Sequence, residues 1–246
     1  MVNEQWLVTG ISGVTCGGKT SLANSLYKYF NARIGQEIKT GIELHRVVLM
    51  NQDDYFRPDN DPNHVKIEKL NHLNWEIIES IDTDRMINDI MKILGKDFVL
   101  YNTLASTQVA STENLFAEHY ANTSTRSFND ELMIDDEHMS YKHVKHNSVL
   151  NILIIEGFLI FNHPVIFDIF NVKYHIHVPY EICYARRKTR NYQPPDVQYY
   201  FEMIVWPEYE KHLREFKDRK DVMFLNGDVS PEKILDFVLF SLKAQL

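Results

Sequence analysis

The sequence predicts an α/β domain in which a parallel sheet is covered by helices on both faces. Two apolar runs, 44–50 and 149–155, are nearly continuous rather than alternating, as is typical of parallel strands buried on both sides. Strand-like and helix-like segments alternate from the first strand, at 6–9, to the closing helix, which favours right-handed crossovers between parallel strands. With 246 residues and 44% hydrophobic content, the chain is expected to form a single domain, 1–246.

The first strand leads into a glycine-rich turn that matches the G-x-x-x-x-G-K-[ST] pattern of P-loop nucleotide-binding proteins. The candidate ATP-binding residues here are Gly13, Val14, Thr15, Cys16, Gly17, Gly18, Lys19, Thr20 and Ser21. Glycines let successive backbone N–H groups face an anion, and the helix that begins near Lys19 directs the positive end of its dipole to the same point. We expect Lys19 to reach the β- and γ-phosphates and the Thr20 hydroxyl to bind Mg²⁺.

Composition limits the partners of this site. The formal net charge is −8, which argues against a general nucleic-acid or anionic-membrane surface. No stretch is long enough to span a membrane, and residues 1–5 lack the features of a signal peptide. We therefore expect a cytoplasmic protein that binds small molecules. The two cysteines, Cys16 and Cys183, fit a reducing compartment, and whether Cys16 is a small loop residue or a redox-sensitive thiol stays open.

The second strand, 44–50, ends in an acidic and aromatic cluster of Asp53, Asp54, Tyr55 and Phe56. In an open parallel sheet, ligands bind beyond the carboxyl ends of the strands, so this cluster is expected beside the phosphate-binding loop. Phosphoryl transfer to an alcohol needs a carboxylate within reach of the acceptor hydroxyl. Asp53 is the first candidate for this general base and Asp54 the second, and a structural role for the pair is the alternative.

A polar insertion is predicted at 102–148, because this stretch is rich in Asn, Ser, Thr, His and acidic residues. A structureless loop of this length inside a domain is uncommon, so a partly helical or disordered surface segment is expected. The segments 113–120 and 131–144 are the best helix candidates. The histidines lack the spacing of a metal site, and a solvated polar segment is the favoured interpretation; they are His138, His143 and His146.

Later segments add charged groups to the predicted site. The third strand, 149–155, ends in Glu156, and a carboxylate there is a usual partner of Mg²⁺ or its water shell, unless it faces solvent. A fourth strand, 174–178, precedes a predicted helix over 180–190 that ends in a basic cluster. Arg186 and Arg190 are four residues apart and suited to clamp phosphates, with a solvated helix end as the alternative.

The remaining elements complete the predicted fold and suggest an acceptor pocket. A fifth strand is predicted at 222–225, followed by a helix that begins at Ser230. Trp75 and Tyr192 could hold a flat ring between two aromatic faces, and a cationic ring would gain most from them. Glu76, beside Trp75, could hold ribose hydroxyls.

Taken in order, these motifs resemble the nicotinamide riboside kinase family. The resemblance rests on 10–20, 52–56, 154–158, 186–196 and 205–207, and it excludes the insertion. It implies ATP-dependent phosphorylation of the ribose 5'-hydroxyl of nicotinamide riboside, with nicotinic acid riboside as a further substrate left open, to the mononucleotide that feeds NAD synthesis. It also implies the three-layer sandwich of P-loop kinases, with a five-stranded parallel sheet in the order 2-3-1-4-5 and a lid at 186–196.

The resemblance also implies a role for each site residue. Asp53 would be the general base and hold the ribose, and Thr20, Asp53 and Glu156 would surround Mg²⁺. Lys19, Arg186 and Arg190 would assist phosphoryl transfer and contact ATP, whose adenine would meet a loop ending at Ser230. The expected substrate contacts are Asp53, Asp54, Tyr55, Phe56, Trp75, Glu76, Arg187, Tyr192 and Gln193.

The sequence leaves two rival functions open. A uridine or other nucleoside kinase would share the phosphate-binding loop and the base after the second strand. A nucleotide-dependent switch or scaffold is the rival from another class, although the sequence has no Asn-Lys-x-Asp segment for reading guanine. The family is expected to carry tyrosine where this chain has Trp75, a change that preserves the flat face.

Overall fold

A six-stranded sheet forms the centre of the structure, a computed structural model that describes residues 3–101 and 148–246. Its strands are β1 (Asn3–Gly13), β2 (Glu37–Lys39), β3 (Ile42–Asn51), β6 (Ser148–Glu156), β7 (Val172–His177) and β8 (Met223–Asn226). A separate two-stranded sheet pairs β4 (Lys66–Ile67) with β5 (His72–Leu73). The helices are α1 (Lys19–Asn31), α2 (Thr83–Leu94), α3 (Pro164–Asp168), α4 (Tyr180–Arg187), α5 (Trp206–Arg214) and α6 (Pro231–Gln245).

The order of the parallel strands confirms the predicted topology. The central sheet runs β2-β3-β6-β1-β7-β8, and its last five strands are parallel neighbours in the predicted order 2-3-1-4-5. The predicted count of five strands was wrong, because β2 adds an antiparallel edge next to β3. β2 has only three residues, none of them buried, so its sequence lacks the apolar run that marks the other strands.

Two apolar cores lie on opposite faces of the sheet. One joins α1 and α6 to the sheet through Leu26, Phe30 and Phe237. The other joins α2 and α3 to the opposite face and includes Met86 and Phe167. The continuous apolar run of β6 is buried from Leu150 to Glu156, as predicted for a strand between two layers.

Helix boundaries follow local chemistry. The Asp82 side chain accepts a hydrogen bond from the backbone N–H of Arg85 and so caps α2, and Gly95 ends this helix with φ of 86°. The predicted helix over 180–190 was too long, because α4 ends at Arg187. The Thr189 hydroxyl donates to the carbonyl of Arg186, and a local side-chain bond of this kind competes with helical pairing.

The insertion cannot be compared with its prediction over most of its length. Residues 102–147, with the predicted helical pieces and the three histidines, lie outside the described residues. Residue 148, assigned to the insertion, is instead the first residue of β6. Within 3–101 and 148–246, no helix is both long enough and apolar enough to cross a membrane.

Candidate active site

The phosphate-binding loop connects β1 to α1 and is shaped by close packing against β7. Gly13 has φ of 152°, and a Cβ added there would lie 2.4 Å from the carbonyl oxygen of Ile176. Gly18 precedes α1 in a left-handed conformation with φ of 104°. Glycine is required where a neighbouring backbone comes this close or φ is positive. Cys16 also has positive φ, 57°, which is uncommon for a residue with a side chain.

Lys19 and Thr20 link this loop to the end of β6. The Lys19 ammonium donates to the carbonyl of Val14 at 3.1 Å, across the loop. The Thr20 hydroxyl donates to Oε1 of Glu156 at 2.9 Å. Glu156 is only 3% exposed, and burial raises its pKa, with Lys19 opposing and Asp53 reinforcing that shift. The phosphate-binding lysine, the threonine and the strand-end carboxylate are therefore neighbours.

The donor set at this point fits a magnesium ion. Asn51, at the end of β3, pairs with Glu156, at the end of β6, which brings Asp53 to the same edge of the sheet. The Thr20 hydroxyl and the carboxylates of Asp53 and Glu156 supply only oxygen ligands, which Mg²⁺ prefers. In the described part of the chain no group of three His, Cys, Asp or Glu residues could hold a metal alone. Phosphate oxygens and water would have to complete the shell, as is usual for Mg²⁺ at nucleotide sites.

A cavity of about 390 Å³ lies between this loop, the end of β3 and the predicted lid. The predicted site residues that line it are Thr15, Cys16, Lys19, Thr20, Asp53, Phe56, Trp75, Glu76, Arg187, Arg190, Tyr192 and Gln193. The candidate residues for binding ATP, for the general base and for holding the acceptor ring come from four separate segments, and they line the same cavity. The cavity has the size of a small-molecule site.

Two aromatic side chains on opposite segments of the chain line this cavity. Trp75 packs edge-on against Phe56, with ring centroids 5.7 Å apart, and against His64 at 4.5 Å. Its backbone N–H donates to the hydroxyl of Tyr200 at 2.9 Å. On the lid, the Tyr192 hydroxyl lies 3.4 Å from Oγ1 of Thr15, so the lid rests on the phosphate-binding loop. Both aromatic walls are thus held by other parts of the site.

Arg187 is the most connected charged group of the cavity. Its Nε and Nη2 donate to the two carboxylate oxygens of Asp196 at 2.6 and 2.9 Å, and Nη2 also donates to Oε1 of Glu76 at 3.1 Å. Nη1 donates to Oγ1 of Thr15 at 3.2 Å. The guanidinium also lies 4.4 Å from the ring centroid of Tyr192. Arg187 therefore joins the lid, the phosphate-binding loop and the segment that carries Trp75.

Asp54 and Tyr55 do not line this cavity, in contrast to the sequence prediction. The Tyr55 ring is buried in the core beside α2, and its hydroxyl donates to Asp89 at 3.2 Å. Burial, reinforced by Asp89, raises the Tyr55 pKa to about 12. Asp54 is exposed, and its carbonyl accepts from Arg85. We therefore leave both residues out of the acceptor site.

Arg186 lies on the other side of the phosphate-binding loop. Its Nη1 donates to the carbonyl of Cys16 at 3.3 Å and to that of Gly227 at 3.0 Å. A Cβ on Gly227 would come within 2.9 Å of the Gly17 carbonyl oxygen, so the loop before α6 packs tightly here. Ser230 is exposed at the start of α6. Arg186 and Arg190 therefore lie on different sides of the loop, because Arg190 lines the cavity and Arg186 does not.

The structure also adds lining residues that the sequence prediction did not assign. They are Arg57, Asp59, Phe158, Pro194, Asp196 and Tyr200. Phe158 and Asp196 belong to segments that carried the family resemblance, and that proximity to predicted residues was the available signal. Tyr200 is buried in the middle of an aromatic run, where the sequence gives no sign that its hydroxyl supports Trp75.

Similarity to known proteins decides the family. Human nicotinamide riboside kinase 1 is 31% identical over 228 residues, which cover 92% of this chain and 87% of that protein. This chain belongs to the nicotinamide riboside kinase family. The nicotinamide riboside kinase of Saccharomyces cerevisiae is 25% identical over 96% of this chain and 85% of its own.

This member of the nicotinamide riboside kinase family is also similar, more distantly, to uridine kinases. A uridine kinase of Vibrio parahaemolyticus is 21% identical over 92% of this chain and 89% of its own. No protein-family model matches the sequence. Among solved structures, a sugar kinase from a Janibacter species covers 99% of this chain and 96% of its own at 14% identity, with a TM-score of 0.43, too distant to add to the assignment.

Proposed function

We propose that the protein transfers the γ-phosphoryl group of ATP to the ribose 5'-hydroxyl of nicotinamide riboside and so forms nicotinamide mononucleotide. The observation that carries this proposal is the single cavity in which Lys19 and Thr20, Asp53 and the two aromatic residues Trp75 and Tyr192 meet. A triphosphate on the loop would have its terminal phosphate directed at an alcohol placed beside Asp53. Membership of the family supports the same reaction.

On the donor side, the loop N–H groups and the start of α1 would hold the β- and γ-phosphates. Lys19, which donates to the Val14 carbonyl in this structure, would donate to phosphate oxygens instead when ATP is bound. Thr20, Asp53 and Glu156 would hold Mg²⁺, which would neutralise charge on the transferring group. Arg190 would approach the phosphates from the lid, and Arg186 would stay behind the loop on the adenine side.

On the acceptor side, Asp53 would accept the proton of the 5'-hydroxyl as the new P–O bond forms. Glu76 and Arg187, which both line the cavity and pair at 3.1 Å, would hold the ribose hydroxyls, with Gln193 on the lid as a further polar contact. Trp75 and Tyr192 would contact the nicotinamide ring. A pyridinium ring is cationic and is attracted to aromatic faces, whereas a neutral uracil gains less from them.

The decisive experiment compares two nucleosides with the purified full-length protein, ATP and Mg²⁺. We expect kcat/KM for nicotinamide riboside to exceed that for uridine by about tenfold or more, the ratio that about 1.4 kcal/mol of cation–π attraction supplies. Nicotinic acid riboside, assayed in parallel, tests whether a ring with a carboxylate is also accepted. A preference for uridine would overturn this substrate assignment while leaving a nucleoside kinase in place.

A further inference from the structure

We propose that Asp196 is a positioning residue for the nucleoside, which it serves by fixing the orientation of Arg187. Asp196 lies at the end of the lid, nine positions after Arg187 in sequence. It accepts from Nε and Nη2 of that guanidinium at 2.6 and 2.9 Å, which is the two-bond geometry of a strong Arg–carboxylate pair. The inference rests on the proposed function, because it concerns the acceptor side of that reaction.

The hydrogen bonds of Arg187 show how many of its N–H groups are left to bind a ligand. A guanidinium has five N–H donors. Asp196 takes two, Glu76 takes one on Nη2, and Thr15 takes one on Nη1. One N–H of Nη1 is left to face a ligand in the cavity that Arg187 lines.

The Glu76 carboxylate likewise has one oxygen left to bind a ligand. Only its Oε1 accepts from Arg187, and Oε2 has no hydrogen-bond partner among residues 3–101 and 148–246. Its backbone is fixed, because the amide donates to Asn74 and the carbonyl oxygen lies 2.9 Å from Nε2 of His212. One donor and one acceptor therefore remain side by side, the combination that a pair of ribose hydroxyls needs.

Asp196 keeps these two groups available by competing with Glu76. The Arg187 side chain is 6% exposed and that of Glu76 is 12% exposed, so water screens their attraction poorly. If the carboxylate of Asp196 were neutralised, Glu76 would be the remaining acid in direct contact with this guanidinium in the described part of the chain. Arg187 would then form two hydrogen bonds with Glu76, one of them to Oε2. This rearrangement would turn Nη1 away from the cavity, so neither group would be left to bind the ribose hydroxyls.

The role differs from simple stabilisation of the lid. The Asp196 side chain is 27% exposed, and an ion pair of that kind on a lid would affect both substrates if it only kept the lid folded. Arg190, on the same segment, lines the cavity and would approach the phosphates, so a damaged lid would also weaken ATP binding. A positioning role predicts an effect confined to the nucleoside.

The test is a double-mutant cycle on the full chain with Asp196→Asn and Arg187→Lys. Asp196→Asn is expected to raise the KM for nicotinamide riboside about tenfold, with kcat and the KM for ATP each within about threefold of the unmutated protein. Arg187→Lys keeps the positive charge but loses the planar guanidinium that forms two hydrogen bonds with Asp196. In that background, adding Asp196→Asn is expected to change the nucleoside KM by less than about twofold, because Asp196 acts through the guanidinium.

Controls separate the possible failures. Glu181→Gln removes an exposed carboxylate at the start of α4, the helix that carries Arg187, outside the cavity that Arg187 lines, and should match the unmutated protein. If Asp196→Asn does not fold, Asp196→Glu, which keeps the charge but displaces the carboxylate, gives the same comparison in both backgrounds. An unchanged nucleoside KM, an equal effect in both backgrounds, or an equal rise in the KM for ATP overturns the positioning role. The cycle can be run with uridine if the protein prefers it, so failure of the substrate assignment is distinguished from failure of this inference.

Discussion

The Thr20 hydroxyl, at the start of α1, donates a 2.9 Å hydrogen bond to Oε1 of Glu156, at the end of β6. Two of the three oxygen groups proposed to hold Mg²⁺ thus come from adjacent elements and are already in contact. Glu156 is buried, so its ionised carboxylate needs hydrogen-bond donors in place of water. The Thr20 hydroxyl supplies one of these hydrogen bonds. Their relationship leads to a prediction about the metal.

Thr20→Ala is expected to lower kcat by about a hundredfold and to raise the Mg²⁺ concentration needed for half-maximal rate, because an oxygen ligand is lost. Thr20→Ser keeps the hydroxyl and should stay within about threefold of the unmutated protein. Initial rates over a Mg²⁺ titration at saturating ATP measure both effects. Equal activity of the Ala and Ser variants would mean that the hydroxyl does not serve the metal.

Asp53→Ala is expected to lower kcat by about a hundredfold to ten-thousandfold while ATP binding is retained, because the general base is lost and the phosphate-binding loop is intact. Turnover assays and fluorescent-nucleotide titration check the two parts. Asp54→Asn changes an exposed carboxylate outside the cavity and should stay within about threefold. If Asp54→Asn lost activity and Asp53→Ala kept it, Asp54 would be the general base. If the unmutated protein had no kinase activity, a switch or scaffold would be favoured.

Trp75→Ala is expected to raise the KM for nicotinamide riboside about thirtyfold and the KM for ATP less than twofold, because one aromatic wall is removed from the acceptor side only. Trp75→Tyr preserves the flat face and should raise the nucleoside KM by no more than about threefold. Steady-state kinetics with each substrate varied in turn distinguishes the two. If both variants raise the KM for ATP as much as that for the nucleoside, Trp75 is not a ring wall.

The parallel core and the strand-end residues could be predicted because they depend on simple rules. The buried strands β3 and β6 carry continuous apolar runs, and parallel strands place their carboxyl ends at one edge of the sheet. Glu156 follows its run directly and Asp53 comes two residues after the end of β3, so their convergence required no knowledge of side-chain packing. β2 was missed because three exposed or half-buried residues give no such pattern.

The lid contacts could not be predicted, because they join residues through packing rather than through strand order. Arg187 was expected to contact the nucleoside, and the structure shows it held by Asp196, Glu76 and Thr15. Tyr55, two residues after the predicted base, turns into the core because it shares a face of the short 3-10 helix Gln52–Tyr55 with the buried Gln52. Sequence adjacency to a site is therefore a weaker guide than position at a strand end.

A buried lysine that does not line the cavity provides a test of stability. The side chain of Lys173, on β7, is 9% exposed and its Nζ lies 3.2 Å from Oδ2 of Asp221 and 3.0 Å from the carbonyl oxygen of Phe170. Asp221 also accepts from Arg219, and these two cations, Arg219 first, lower its pKa from 3.8 to about 2. A carboxylate whose pKa is lowered by folding stabilises the folded protein only while it is ionised.

Asp221→Asn is expected to lower the free energy of unfolding at pH 7 by about 1 to 2 kcal/mol, because Lys173 loses its acidic partner and Asp221, being 44% exposed, is partly screened by water. The unmutated protein should keep this advantage above about pH 4 and lose it as the pH falls through 3.8 towards 2. Urea unfolding across this range measures the difference. Glu68→Gln removes an exposed pair with Lys66 and should change stability by less than about 0.5 kcal/mol. An advantage over Asp221→Asn that stayed constant down to pH 2 would contradict the ionic origin of the stabilisation.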